Sequence, residues 1–208
     1  MQMNEKDILK RFQNRQPQLM NRDRYHEASV LIPLIGTGDG YDILFEVRSS
    51  KLESQPGDIC LPGGAIEDSE SARDAALRET CEELLVKPEQ VDIACPLDCY
   101  LNGRLIVHPF AGYLRDYEGT FYTGEVAEVF RVPLAFFLET KPEAYEQEFA
   151  AVASPEFPYE RIQGGENYKW RKRIDRYYFY NYEGREIWGF TAAVVRAFIQ
   201  MLKSGDTN

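Results

Sequence analysis

The segment LPGGAIEDSESARDAALRETCEELLV, residues 61–86, restricts the fold more than any other part of the chain. A double glycine, Gly63-Gly64, leads into a run that its caps and composition predict to be helical from about Ser69 to Leu85. At about 100° per residue, Ala75, Ala76, Glu79 and Glu83 fall within roughly 60° of Ala72, with Glu82 just beside them. Leu77, Thr80, Cys81 and Leu84 occupy a separate sector, the expected core-facing stripe. The glutamates therefore share a face with alanines, which allow backbone or ligand to come close. Like charges three or four residues apart destabilise a helix by about 0.2–0.5 kcal/mol per pair. These also lie toward the C-terminal end, where the helix dipole disfavours anions. Both costs point to a compensating cation. A hard divalent ion, Mg²⁺ or Mn²⁺, takes carboxylate oxygens and leaves positions for water and phosphate. A solvated acidic helix paired with nearby arginines explains the cluster alone equally well.

The rest of the chain supplies a sheet. At 208 residues one domain is expected, divided into a helical extension over 1–27 and the domain proper over 28–208. A short helix over 4–15 is capped by Asn4 or Asp7, with Ile8, Leu9 and Phe12 on one side. SVLIPLI (29–35) and YDILFEVRS (41–49) read as a hairpin about GTGDG, followed by a short strand ICL (59–61). Further strands are expected at 91–95 and 104–114, with Asn102-Gly103 as the turn between them, and at 127–134, ending in Pro133 before a short helix LAFFLE. Residues 140–168 are acidic and poorly periodic, and read as irregular surface structure. A hairpin over 175–190 turns at Glu183-Gly184. A helix over 191–205 follows, with Val194, Val195, Phe198, Ile199 and Leu202 inward and Gly205 as its stop. This order of elements gives an α+β or mixed α/β domain, a sheet with helices packed on it.

Charge narrows the function. The net charge is −10, with no basic face broad enough for duplex nucleic acid, so an anionic substrate needs local cations or bound metal. The N-terminal stretch has no apolar core of a secretory signal, and no window approaches the roughly 18 apolar residues of a membrane span. Cys60, Cys81, Cys95 and Cys99 lack paired CxxC spacing, and read as reduced thiols of a cytoplasmic protein.

The wider spacing in the first segment is more specific. Gly64, five residues, Glu70, seven residues, Arg78-Glu79, two residues, Glu82-Glu83 resembles the signature of the Nudix hydrolases, G-x5-E-x7-R-E-U-x-E-E-x-G-U, with U a bulky aliphatic residue. Val86 fits the last U, whereas Thr80 replaces the first and Leu85 the late glycine, so a different helix exit is expected. The resemblance implies a Nudix-type α/β/α sandwich with a central mixed sheet. It implies Glu79 and Glu83 as the main ligands of catalytic Mg²⁺ or Mn²⁺, and Glu82 as a further ligand or the base. The carbonyl of Gly63 would face the same site, and Gly64 would let backbone approach the phosphates. Arg78 would orient the carboxylates and Glu70 would be structural. Such a metal neutralises and templates a pyrophosphate and lowers the pKa of the attacking water.

The left flank speaks to substrate. ILFEVRSSKLESQPGDICLPGG (43–64) resembles the segment that marks coenzyme A pyrophosphatases within that family, through Arg48, Ser49, Leu52, Gly57, Ile59 and Pro62-Gly63-Gly64. Glu53 stands where that pattern carries Arg, Glu46 falls near its Thr, and Leu61 replaces Phe. EVAEVFRVPLAFFL (125–138) and IWGFTA (187–192) look like the same subfamily. The implied reaction is hydrolysis of coenzyme A or a derivative to 3′,5′-ADP and 4′-phosphopantetheine, with Arg48 as a phosphate contact. Alternatives are ADP-ribose, NADH or another nucleoside diphosphate derivative as substrate, or a nucleotide-binding regulator without catalysis. Regulators commonly lose ligating glutamates, which are all present here. The basic run KWRKRIDR (169–176) either meets a 3′-phosphate or pairs with the acidic segment before it. Glu125 and Glu128 are candidate bases or surface charges, and His26 and His108 show no partner. Trp188 and the tyrosines of 177–182 read as core and sheet surface rather than an adenine-stacking platform. A homodimer, with 140–168 as a contact, is a further family implication.

Overall fold

The computed structural model describes residues 4–13, 16 and 19–205. Strands β1 (His26–Thr37) and β2 (Gly40–Arg48) form the expected hairpin, paired from Leu34↔Ile43 to Thr37↔Gly40. Both are nearly continuous apolar runs because both of their faces are covered. Val30, Ile32, Leu34, Ile43 and Phe45 enter one hydrophobic cluster, while Leu31, Ile35 and Leu44 enter another on the opposite side. β3 (Ile59–Cys60) extends the sheet from β2, and β4 (Gly63–Ala65) pairs with β1. β5 (Val91–Pro96) runs antiparallel to β7 (Leu105–Leu114), which itself runs parallel to β1 from His26↔Leu105 to Leu34↔Tyr113. β6 (Tyr100–Asn102), not anticipated as a strand, folds back on β7 about Gly103. β8 (Val126–Pro133) pairs with β2, completing a mixed sheet of eight strands.

One face of this sheet carries α2 (Ala72–Leu84), through Ala76 and Leu84. The other carries α3 (Leu134–Glu139) and α4 (Gly189–Ser204), through Phe137, Val194, Val195, Phe198 and Ile199. The expected α/β/α sandwich is thus present. Leu202 departs from expectation, being exposed rather than inward. The N-terminal α1 (Glu5–Phe12) is capped by the Asn4 side chain, which accepts from Asp7 N at 3.0 Å.

A second sheet joins β9 (Glu143–Phe149), β10 (Arg173–Tyr182) and β11 (Arg185–Trp188). The expectation of irregular structure over 140–168 is therefore wrong for Glu143–Phe149. Phe149 apart, its side chains are exposed, so no apolar alternation marks it. Backbone pairing with β10, from Arg173↔Phe149 to Phe179↔Glu143, makes it a strand. Ion pairs Arg176–Glu146 at 2.5 Å and Lys172–Glu148 at 2.6 Å cross between them, so the basic run meets the acidic segment before it. The β10–β11 turn falls at Glu183-Gly184 as expected, both with positive φ.

His108, read as lacking a partner, has two. Its Nε2 lies 2.9 Å from Glu27 Oε2 and its Nδ1 3.4 Å from Cys99 Sγ. Arg22 binds both Glu27 oxygens at 2.6 and 2.7 Å and, with burial opposing, holds that carboxyl down at about 2. The network ties the start of β1 to β7.

Candidate active site

Ser71 caps α2, its hydroxyl accepting from Asp74 N at 3.2 Å. The loop before it and β4 bring the double glycine against the last two turns of the helix. The two glycines serve different neighbours. A Cβ on Gly63, whose φ is +150°, would lie 2.2 Å from the Ser29 carbonyl oxygen of β1. A Cβ on Gly64 would lie 2.4 Å from Glu79 Oε1. Gly63 thus lets β4 close on the sheet, and Gly64 makes room for a carboxylate. The Gly63 N–H donates to Glu83 Oε2 at 2.8 Å. That N–H links Gly63 directly to the carboxylates.

Arg78 spends all five of its N–H groups. Nε and Nη2 grip both oxygens of Glu70 at 3.0 and 3.1 Å, and Nη2 also donates to the Ala65 carbonyl at 3.1 Å. Nη1 reaches Glu79 Oε1 at 2.8 Å and Glu82 Oε2 at 3.3 Å. Glu70, then Glu79, raise the guanidinium further above its ordinary pKa, against the effect of burial. Glu82 is otherwise exposed and stands at the mouth of the site.

Behind these groups the acids are buried. Glu83 is 5% exposed, and burial pushes its carboxyl up to about 8 against the help of the Gly63 N–H, with Glu79 and Glu125 adding to the rise. Burial likewise raises Glu79, opposed by Arg78. Sequence reasoning missed Glu46, noticed only as a departure from a pattern. It is 1% exposed, held well above the carboxylate range by burial and then by Glu83, and its Oε1 has no hydrogen-bond partner among the described residues. Cys60, its cross-strand partner on β3, lies 3.9 Å from Oε2. The available signal was a carboxylate set between Phe45 and Val47 in a strand covered on both faces.

The two candidate loop acids separate. Glu128 is held by Arg185 at 2.7 and 3.2 Å, which lowers its pKa. Glu125 is exposed and raises the pKa of Glu83, Glu79 and Glu46. The loop that carries it is fastened to α2, through Tyr122 N to the Glu83 carbonyl and Thr120 Oγ1 to the Leu84 carbonyl, both at 2.7 Å. It is also fastened just past the end of β2, where Ser49 N donates to the Glu125 carbonyl at 2.8 Å.

Three further expectations are corrected or refined. Ala75 and Ala76 are fully buried, so these alanines admit the protein's own packing rather than a ligand. Thr80 is buried and satisfies its hydroxyl on the Ala76 carbonyl at 2.7 Å. Leu85 does not change the helix exit: it adopts the left-handed conformation (φ +53°) that a glycine would take, with its side chain 57% exposed.

Among the described residues no three carboxylate, imidazole or thiol groups already converge at metal-ligand geometry. Glu79 is turned to Arg78 and Glu83 to the Gly63 N–H. The donor chemistry nonetheless fits a hard divalent cation. Glu79, Glu83 and Glu46 offer oxygen alone, one oxygen of Glu46 is orphaned among the described residues, and burial pushes all three acids toward neutrality, a cost that a bound cation offsets. Arg48 sits nearby with its guanidinium against the Ser54 carbonyl at 3.2 and 3.3 Å, lowering the pKa of Glu46 and Glu83.

Known proteins resemble this chain in sequence and fold. The peroxisomal coenzyme A diphosphatase NUDT7 of Mus musculus is 38% identical over 125 residues, 59% of this chain and 52% of that protein. Nudix hydrolase 15, mitochondrial, of Arabidopsis thaliana is 33% identical over 183 residues, 84% of this chain and 58% of the relative. The chain spans about half the length of these curated relatives. The crystal structure of a MutT/nudix family protein from Enterococcus faecalis aligns with 97% of this chain and 70% of its own, at a TM-score of 0.50 and 15% identity, a likeness of fold. Residues 25–151 match the NUDIX domain, and since that match covers more than half of the chain, the chain belongs to the Nudix family.

Proposed function

We propose that the chain hydrolyses the diphosphate bond of coenzyme A or a derivative, giving 3′,5′-ADP and 4′-phosphopantetheine, with Mg²⁺ or Mn²⁺ held by Glu79 and Glu83. The observation that carries this reading is the buried carboxylate cluster, in which Glu83 and the partnerless oxygen of Glu46 lie beneath Glu79. The metal, when bound, neutralises the diphosphate and acidifies the attacking water. Arg78 fixes Glu79 and Glu82, and the Gly63 N–H orients Glu83 on the same helix. Arg48 receives a phosphate oxygen. Glu82 at the mouth is a further ligand or the base, and Glu125 is the competing base, whereas Glu128 is committed to Arg185. Gly64 keeps the space that Glu79 needs beside the substrate.

The coenzyme A diphosphatase name of the mouse relative supports the substrate. Glu53, the charge reversal in the flanking pattern, is exposed and lies off the wall of the neighbouring cavity. The ion pairs that occupy Lys172 and Arg176 favour a second reading, a nucleoside diphosphate derivative without a 3′-phosphate, such as ADP-ribose or NADH. A cytoplasmic homodimer completes the proposal. Among the described residues no helix is long and apolar enough to cross a membrane.

The test is a panel of coenzyme A, ADP-ribose and NADH with Mg²⁺ or Mn²⁺, products resolved by chromatography. Coenzyme A is expected to be cleaved fastest. Faster cleavage of ADP-ribose replaces the first reading with the second, and no cleavage of any substrate leaves a regulator that only binds.

A further inference from the structure

A cavity of about 570 Å³ opens between the main sheet and the small sheet. Arg48 and Cys60 line its carboxylate end, and Cys60 pairs across the sheet with Glu46. The small sheet forms a facing wall. Strand alternation splits the aromatic run of β10: Tyr178, Tyr180 and Tyr182 pack on the core, while Phe179 faces the cavity. Trp188 sits opposite Phe179 in the register and stacks on it, with ring centroids 5.8 Å apart and planes 12° from parallel. Tyr145 of β9 meets Phe179 edge-on at 5.6 Å. The run expected to be core and sheet surface is therefore half core and half cavity wall.

Two features say what this wall takes. Trp188 is 40% and Tyr145 58% exposed, so ring area stays open within a concavity, where apolar surface marks a ligand site. Among the described residues lining the cavity Arg48 is the one cation, and Asp58 and Glu146 stand on it as acids, Glu146 paired with Arg176. Beyond the Arg48 end the space disfavours phosphate and suits an uncharged, flat group. Asn102 and Gln147 supply amides that can pair with the edge of such a group.

We propose that this cavity binds the heteroaromatic base of the substrate, stacked on Trp188, with the diphosphate led past Arg48 to the glutamates. The inference rests on the reading of the substrate as a nucleoside diphosphate derivative, and holds for both substrate classes named above. Phe179 and Trp188 lie beyond residues 25–151, which match the NUDIX domain, whereas Tyr145 of β9 lies within them.

The test separates base from chemistry. Adenosine and pantetheine are titrated separately onto the metal-free protein by ligand-observed NMR, alongside Trp188→Leu and Trp188→Phe. Adenosine is expected to bind, Trp188→Leu to weaken it about tenfold or more, and Trp188→Phe to restore most of the loss. With metal, Trp188→Leu is expected to raise KM while kcat holds. Unchanged adenosine affinity in Trp188→Leu, or binding of pantetheine in place of adenosine, overturns the proposal while leaving hydrolysis intact. Trp188-dependent adenosine binding in a protein that cleaves no diphosphate sinks the hydrolase reading instead and keeps the base site. Thermal melting of Trp188→Leu confirms that the variant compared is folded, and Trp188→Phe carries the comparison if it is not.

Discussion

The loop–helix of β4 and α2 and the small sheet of β9, β10 and β11 flank the same site and are held by opposite means. In the loop–helix the strong polar groups are tied down: Arg78 uses five N–H groups, Glu83 takes the Gly63 amide, and Gly64 leaves no more than the room Glu79 occupies. In the small sheet the backbone ladder defines the structure, and the ion pairs Arg176–Glu146 and Lys172–Glu148 are more than half exposed. Exposed pairs of that kind are worth about 0–1 kcal/mol. A wall fixed by interlocking charges resists change of sequence, while one fixed by backbone leaves its side chains free to be fitted to a ligand.

Substitutions can break that contrast, beginning with the largest effect. Gly63→Ala places a Cβ against backbone at a φ that side chains rarely adopt, and is expected to cost about 3 kcal/mol or more in denaturant unfolding. Gly64→Ala meets the end of a flexible carboxylate instead, so it should fold and lose Mn²⁺ affinity by about 10–100-fold, readable by calorimetry. Equal destabilisation by the two changes would contradict the division of labour between the glycines.

Titration gives the next effect. Glu83 titrates near 8 when folded, against 4.5 as its ordinary value, so below pH 4.5 it is neutral in both states and imposes no penalty. Between pH 4.5 and 8 the unfolded chain ionises first and the folded protein binds more protons, so stability falls as pH rises through this window. Glu79 and Glu46 act in the same direction. Metal-free thermal melts should show that fall, and Glu83→Gln should flatten it. Glu27, held at about 2, contributes separately, its stabilisation being lost as pH falls from 4.5 through 2.

Arg78→Lys keeps the charge but loses the fork, and is expected to cost about 2 kcal/mol. In a chain of this size that lowers the melting temperature by about 4–8 °C. Arg176→Ala, its counterpart in the small sheet, should cost less than about 1 kcal/mol. The smallest effect is a gain: Leu85→Gly relieves a left-handed leucine with an exposed side chain and is expected to add about 1 kcal/mol, checked by the same melts.

What could be read from sequence follows the same divide. α2 and its glutamates were visible because helix periodicity and short-range spacing put Arg78, Glu79, Glu82 and Glu83 on neighbouring turns. β9 was invisible because its side chains contact mostly water and its pairing partner lies some thirty residues onward. The division of the β10 tyrosines followed from alternation, but which parity faced the core depended on α4. Glu46 was hidden for a related reason: in a strand covered on both faces, alternation does not tell a buried acid from an exposed one.

The loop of Thr120–Glu125 bears on how the site can move. It is bolted to α2 at Tyr122 and Thr120 and, at Glu125, to Ser49 just past the end of β2. A segment anchored to two neighbours transmits displacement instead of absorbing it, so the backbone that carries Glu125 is tied to the position of α2. Any shift of the end of α2 is carried to Glu125 as well, and slowed hydrogen exchange at the Tyr122 amide becomes a direct gauge of whether Glu83 is in place.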